Sequence, residues 1–185
     1  PDFTHEDSLE AMARTALALC DGPVSVVGHS MGGRAAMELW RIAPQREQRL
    51  ALLDTGAHPR VVGEEIGRMK MVTLAREQGM SALANAWLPP MVHPGRTTDT
   101  DLLDPLREMV GRKTPDIFAN QQNALLNRPD AVPTLASITV PTLIGVGRDD
   151  LWSPVAQHEE MAAIVPGAKL VVFEDSGHMS TVENA

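Results

Sequence analysis

The sequence predicts an α/β fold, a mostly parallel sheet with helices on both faces, and three observations carry that reading. Val24 to Val27 is a short β-branched run closed by turn residues, and a helical pattern from Met31 to Ile42 follows it directly. A second apolar run, Leu50 to Asp54, comes about one helix length later, which is the rhythm of parallel strands joined by helical crossovers. Two more runs, Pro141 to Val146 and Lys169 to Phe173, repeat the pattern late in the chain.

Ahead of the first strand, Leu9, Met12, Ala13, Ala16, Leu17 and Cys20 recur at helical spacing, so a helix from His5 to Cys20 is expected with Thr4 as its N-cap. Asp21-Gly22-Pro23 ends it. Cys20, the single cysteine, has no second thiol for a disulfide and no CxxC pattern, and reads as a small core residue. From Gly56 to Ala136 the character changes to Met- and Leu-rich helical patterns broken by Gly79, Pro89-Pro90 and Pro94-Gly95. Residues 56–136 are therefore expected to form a helical layer inserted into a single domain. Within it, Thr114-Pro115-Asp116 supplies an N-cap, a first-turn proline and a first-turn acid. The helix between the two late strands is expected to start with Ser153 as N-cap and Pro154 at its first position.

Composition removes several classes of function. The apolar fraction of 43% and charged fraction of 22% are those of a folded globular chain, and 185 residues suffice for one domain. Sixteen basic against twenty-four acidic residues give a net charge of −8 with no stripe of Lys and Arg, so nucleic acid is not an expected partner. No apolar run approaches the roughly 18 residues of a membrane span. A soluble, cytoplasmic protein is expected, with a targeting segment upstream of Pro1 left open.

Chemistry concentrates at Gly28-His29-Ser30-Met31-Gly32, placed where the first strand ends and a helix starts. A serine lifted off a sheet by so tight a turn has a strained backbone, and glycines two residues to either side, Gly28 and Gly32, are expected to remove clashes with the neighbouring strand and helix. Ser30 then sits at a helix N-terminus, where the Met31 N–H is an oxyanion donor. A serine hydroxyl is a weak nucleophile and needs a base, and the base needs a third group to hold its tautomer. Two turns past strand ends offer these: Asp149-Asp150 after the third strand, and Ser176-Gly177-His178 after the fourth. Both lie on the sheet edge that carries Ser30.

With these residues, the chain resembles the α/β-hydrolase superfamily over nearly its whole length, and Val140 to Glu183 is especially similar to that family's usual ending. The family's acid turn has Gly, two variable residues, Asp, three variable residues and Pro, which Gly147, Asp150 and Pro154 match. The resemblance thus implies a triad of Ser30, Asp150 and His178, with Asp149 as a turn neighbour and Asp54 as a remoter choice of acid. His29 is expected to pack structurally, His58 to border the pocket, and His5, His93 and His158 to lie in loops or on polar helix faces. Measured against the family, strands before residue 5, the loop holding a second oxyanion donor and a closing helix are missing, which reads as a partial domain.

The resemblance to small carboxylesterases and enol-lactonases implies hydrolysis of a small ester or lactone through an acyl-enzyme. Cleavage of a carbon–carbon bond in a β-diketone or ring-cleavage product is the alternative, and a non-catalytic ligand-binding protein the second. Trp87, Met91 and Trp152 are the expected pocket residues. No metal or cofactor is expected, and His158-Glu159-Glu160 is read as one solvated helix face.

Overall fold

The computed structural model describes residues 1–185. The chain runs α1 (Leu9–Ala18), β1 (Val24–His29), α2 (Met31–Ile42), β2 (Glu47–Leu53), α3 (Glu64–Trp87), α4 (Thr100–Gly111), α5 (Pro115–Leu126), α6 (Val132–Ala136), β3 (Thr142–Gly147), α7 (Val155–Ile164), β4 (Lys169–Phe173) and α8 (Ser180–Glu183). The strands form one parallel sheet in the order β1-β2-β3-β4.

Alternation along each strand assigns the faces. Register sets Val26 beside Leu50, and Leu52 beside Ile144 and Leu170, so these side chains share one face. Met37 and Trp40 of α2, Leu135 of α6 and Met161 of α7 cover it in a single buried cluster. The opposite face carries Val27, Ala51, Leu143 and Val171, and Val27 is 70% exposed there. A groove of about 430 Å³ crosses that face along the first halves of the strands, far from the edge where the strands end.

Between β2 and β3, α3, α4 and α5 gather around a separate core that includes Val72, Leu83, Leu103, Leu106 and Phe118. Each fully buried leucine there contributes roughly 1.5–3 kcal/mol. Gly79 splits α3 into two helices joined at a kink, adopting φ 84° and ψ 171°, a non-helical conformation that is essentially glycine's alone. Pro89–Met91 and Pro94–Arg96 form 3-10 turns. Met179, next to His178, is buried in this same core and ties the helical layer to the histidine loop.

Local signals place most elements, and the departures have physical causes. Thr114 caps α5 through a bond from Ile117 N–H to its hydroxyl, 3.2 Å. Helix α1 begins at Leu9, not His5, because Ser8 accepts from Ala11 N–H (3.2 Å), while the residues before it lie against α5 through Gln121 Nε2 to Phe3 O (3.1 Å). Cys20 lies past the end of α1 and is exposed, not in the core. Strand β2 starts at Glu47 because backbone pairing with Val24 and Ser25 holds its polar residues extended. Ser153 does not cap α7: its N–H donates to Asp150 Oδ1 (2.9 Å), and Pro154 takes the N-cap position.

Glu47 carries a prediction of its own. It is buried, neither of its carboxylate oxygens is hydrogen-bonded, and burial pushes its pKa up to about 8. The acid is neutral in both states well below its ordinary value of roughly 4.3. Between there and about 8 the folded chain holds a proton that the unfolded chain releases, so stability falls with rising pH and the loss is complete above 8. Glu47→Gln is expected to raise Tm far more at pH 8.5 than at pH 4.5, by an amount corresponding to a few kcal/mol. Equal changes at both pH values in thermal melts would refute this.

Candidate active site

Ser30 adopts φ 52° and ψ −117° between β1 and α2, a backbone that costs of order 1–3 kcal/mol in a residue with a side chain. Four hydrogen bonds hold it. Its N–H donates to Leu53 O (2.9 Å), and its carbonyl accepts from Thr55 Oγ1 (2.7 Å), Gly33 N–H (3.0 Å) and Arg34 N–H (3.4 Å). Thr55 is fixed in turn, its N–H donating to His158 Nε2 (3.0 Å) while His158 Nδ1–H donates to Pro154 O (3.1 Å). His158 is fully buried, and burial lowers its pKa, so it is a neutral strut beneath the serine turn and not part of a solvated face. Only Glu159 and Glu160 of that trio face water.

The glycines divide differently from expectation. A Cβ on Gly28 would strike Gly32 O and come within 2.6 Å of Gly33 Cα, whereas one on Gly32 would meet nothing within 4 Å. The second tight position is Gly33, where a Cβ would lie 2.7 Å from Thr55 Cβ.

Three side chains distant in sequence meet at the ends of β1, β3 and β4. Ser30 Oγ is 2.7 Å from His178 Nε2, and His178 Nδ1 is 2.8 Å from Asp150 Oδ2. Asp150 Oδ1 accepts from the N–H groups of Trp152 (2.8 Å) and Ser153 (2.9 Å). An ionised carboxylate so placed accepts the Nδ1 proton and leaves Nε2 as acceptor for the serine hydroxyl. Asp149 turns toward His93, 3.7 Å away. Asp54 is engaged elsewhere, accepting from Gly147 N–H (2.8 Å) and from the Ser180 hydroxyl (2.5 Å).

The sequence pattern of the alpha/beta hydrolase family matches residues 1–185. The chain belongs to that family. Among curated hydrolases it is similar to the pimeloyl-[acyl-carrier protein] methyl ester esterase of Nitrosomonas europaea, 29% identical over 181 residues, 93% of this chain and 71% of that protein. It is also similar to the 2-hydroxy-6-oxononadienedioate/2-hydroxy-6-oxononatrienedioate hydrolase of Klebsiella pneumoniae, 24% identical over 180 residues and 88% of this chain, spanning 58% of that protein's length. Among solved hydrolase structures, a thermophilic esterase from Thermogutta terrifontis matches the whole chain with a TM-score of 0.90 and 27% identity, and the enol-lactonase from Burkholderia xenovorans LB400 with 0.85 and 28%. The chain covers 70% of each.

Around Ser30, His178 and Asp150 the aromatic residues of this hydrolase-family chain form a continuous wall. Trp152 stacks on His178 with ring centroids 5.7 Å apart, Trp87 meets Trp152 edge-on at 6.0 Å, and Phe118 meets Trp87 at 5.3 Å. Met91 is not on that wall: it is buried in the helical layer, with its carbonyl against Gly177. His58 is exposed and paired with Glu160 at 3.1 Å. No group of three or more His, Cys, Asp or Glu side chains converges as a metal site would require.

Two supports bring partners that the sequence does not name, His29 being expected there only to pack structurally. His29 Nε2 bonds the His178 carbonyl (2.7 Å) and lies 3.5 Å from Asp54, and these two acceptors outweigh burial in raising its pKa. Glu183 accepts from Gly177 N–H (2.8 Å) and His93 N–H (2.6 Å), clamping the histidine loop to the helical layer. No local signal marks either contact.

Proposed function

We propose that the chain is the catalytic part of a serine hydrolase that cleaves a small carboxylic ester or lactone by way of an acyl-enzyme. The unbroken hydrogen-bond chain from Ser30 through His178 to Asp150 carries this reading. Ser30 Oγ attacks the carbonyl carbon while its proton passes to His178 Nε2, and the Asp150 carboxylate supports the imidazolium. Charge develops on the carbonyl oxygen beside the Met31 N–H, which as the first amide of α2 has no partner within the helix. His178 then returns the proton to the leaving alkoxide. In the second half, water loses a proton to His178 and attacks the acyl carbon, and as the bond to Ser30 Oγ breaks His178 returns that proton to Oγ, releasing the acid and restoring the serine hydroxyl. Trp152 and Trp87 give the substrate an apolar wall.

Labelling by a fluorophosphonate tests the nucleophile. The full-length protein is expected to take up the label and Ser30→Ala to take up none; a labelled Ser30→Ala variant would move the nucleophile elsewhere. Carbon–carbon bond hydrolysis is a second reading, supported by the likeness to the Klebsiella pneumoniae hydrolase. Turnover of a chromogenic short-chain ester against that of a 2-hydroxy-6-oxo dienoate ranks the two, and a faster dienoate would favour the second.

A further inference from the structure

The indole of Trp152 does more than border the site: it stacks on the imidazole of His178, with ring centroids 5.7 Å apart and planes inclined by 27°. A single carboxylate fixes both partners. Asp150 Oδ1 accepts from the Trp152 N–H (2.8 Å), and Oδ2 of the same group lies 2.8 Å from His178 Nδ1. The indole is braced in turn by Trp87, edge-on at 6.0 Å, and Trp87 by Phe118 at 5.3 Å, which is buried in the core of the helical layer. Leu151, its neighbour in the same turn, is exposed instead. The stack is thus anchored through the acid at one end and the helical layer at the other.

The reaction asks a positive charge of that imidazole. When the Ser30 proton reaches Nε2 the charge spreads over the ring, and it arises twice in each cycle. Asp150 meets it at Nδ1. Little water reaches it, His178 and Asp150 each being 3% exposed. His29 lies 5.4 Å away but inclined by 51°, with its own Nε2 turned to the His178 carbonyl and Asp54. The aromatic face nearly parallel to the imidazole belongs to Trp152. Such a face is negative, most of all in tryptophan, and attracts a cation within about 6 Å of its centroid, more strongly where water is shut out. A neutral imidazole gains little of this attraction, so the contact favours the charged ring of the transition state over the resting one.

We propose that Trp152 is a positioning residue of the reaction, its indole face backing the imidazolium of His178 each time that ring takes up a proton. This rests on the serine-hydrolase reading and goes beyond it. An apolar wall for the substrate requires only a large side chain at position 152, whereas this role requires an electron-rich ring.

Ester turnover and fluorescence test it in the full-length protein. With 4-nitrophenyl acetate, whose acyl group is small, kcat is expected to fall about tenfold in Trp152→Leu and less in Trp152→Phe. Mono-, di- and tetrafluorotryptophan placed at position 152 nearly keep the shape of the ring while draining its face of charge, so kcat should fall in step with the number of fluorines and KM should hardly move. A kcat that stays level across that series overturns the proposal even where Trp152→Leu is slow, and the series decides alone if Trp152→Leu does not fold by circular dichroism. Independently of turnover, a stacked imidazolium quenches indole fluorescence more than a neutral imidazole does. Acidification is therefore expected to quench the parent protein by an amount lost in both Trp152→Phe and His178→Gln; a quench that His178→Gln leaves whole overturns the stack. A His178-dependent quench with no ester turnover would sink the serine-hydrolase reading and this role with it, whereas ester turnover without that quench sinks this role alone.

Discussion

Asp150→Asn is expected to lower kcat for ester hydrolysis by as much as about 10⁴-fold, as in other serine triads, with substrate binding little changed. The reason lies in what surrounds the carboxylate. Oδ1 faces two backbone N–H groups, from Trp152 and Ser153, so an asparagine must place its own oxygen there. Its NH₂ group is then forced into the Oδ2 position, 2.8 Å from His178 Nδ1. A donor at that point requires Nδ1 to accept, and the imidazole proton moves to Nε2, where it can no longer receive the proton of Ser30. The fold should survive, since a side chain of the same shape fills the same sealed site. Asp149→Asn is expected to cost less than about tenfold, because its carboxylate reaches only toward His93. Asp54→Asn should fall between the two, acting through Gly147 and Ser180. Steady-state turnover of the three variants decides the order, and a larger loss in Asp149→Asn than in Asp150→Asn would reassign the acid.

How much of this was legible in the sequence depends on how far apart the interacting residues lie. β1, α2, β4 and the Thr114 cap are set by neighbours within a turn or a strand, and their patterns stand in the sequence. The side chains that meet as Ser30, Asp150 and His178 were legible for a related reason, since each belongs to a short turn with its own spacing. Supports built from distant pairs were not. His29 meets His178 across 149 positions, and His158 meets Thr55 across 103; the place of His29 beside the serine turn marks it as packed without naming its partner, and nothing local to His158 distinguishes it from a surface histidine. The start of β2 was hidden for the same reason: Glu47, Gln48 and Arg49 do not read as a strand until β1 pairs with them. The helical layer was legible as a change of texture, whereas the insertion of Met179 into its core required the fold.

Gly28→Ala and Gly33→Ala are each expected to destabilise the protein by about 3 kcal/mol or more and to abolish fluorophosphonate labelling, whereas Gly32→Ala should cost under about 1 kcal/mol. Gly32 and Gly33 are neighbours in the first turn of α2, so the contrast between those two isolates packing from backbone propensity. At Gly28 the added carbon meets backbone on both counts, Gly32 O and Gly33 Cα, and backbone yields only by shifting the serine turn itself. That turn cannot shift freely, because Leu53 O and the Thr55 hydroxyl pin Ser30 from the β2 side. At Gly33 the obstacle is the Thr55 side chain, with Cβ and Cγ2 both at 2.7 Å. Thr55→Ser removes Cγ2 but keeps the hydroxyl that donates to Ser30 O, so adding it to Gly33→Ala should recover part of both stability and labelling. The same change in the Gly28→Ala background should recover nothing, as Thr55 is not what that carbon strikes. Equal effects of Gly32→Ala and Gly33→Ala on Tm would mean that the helix rests on the sheet less closely than these distances require.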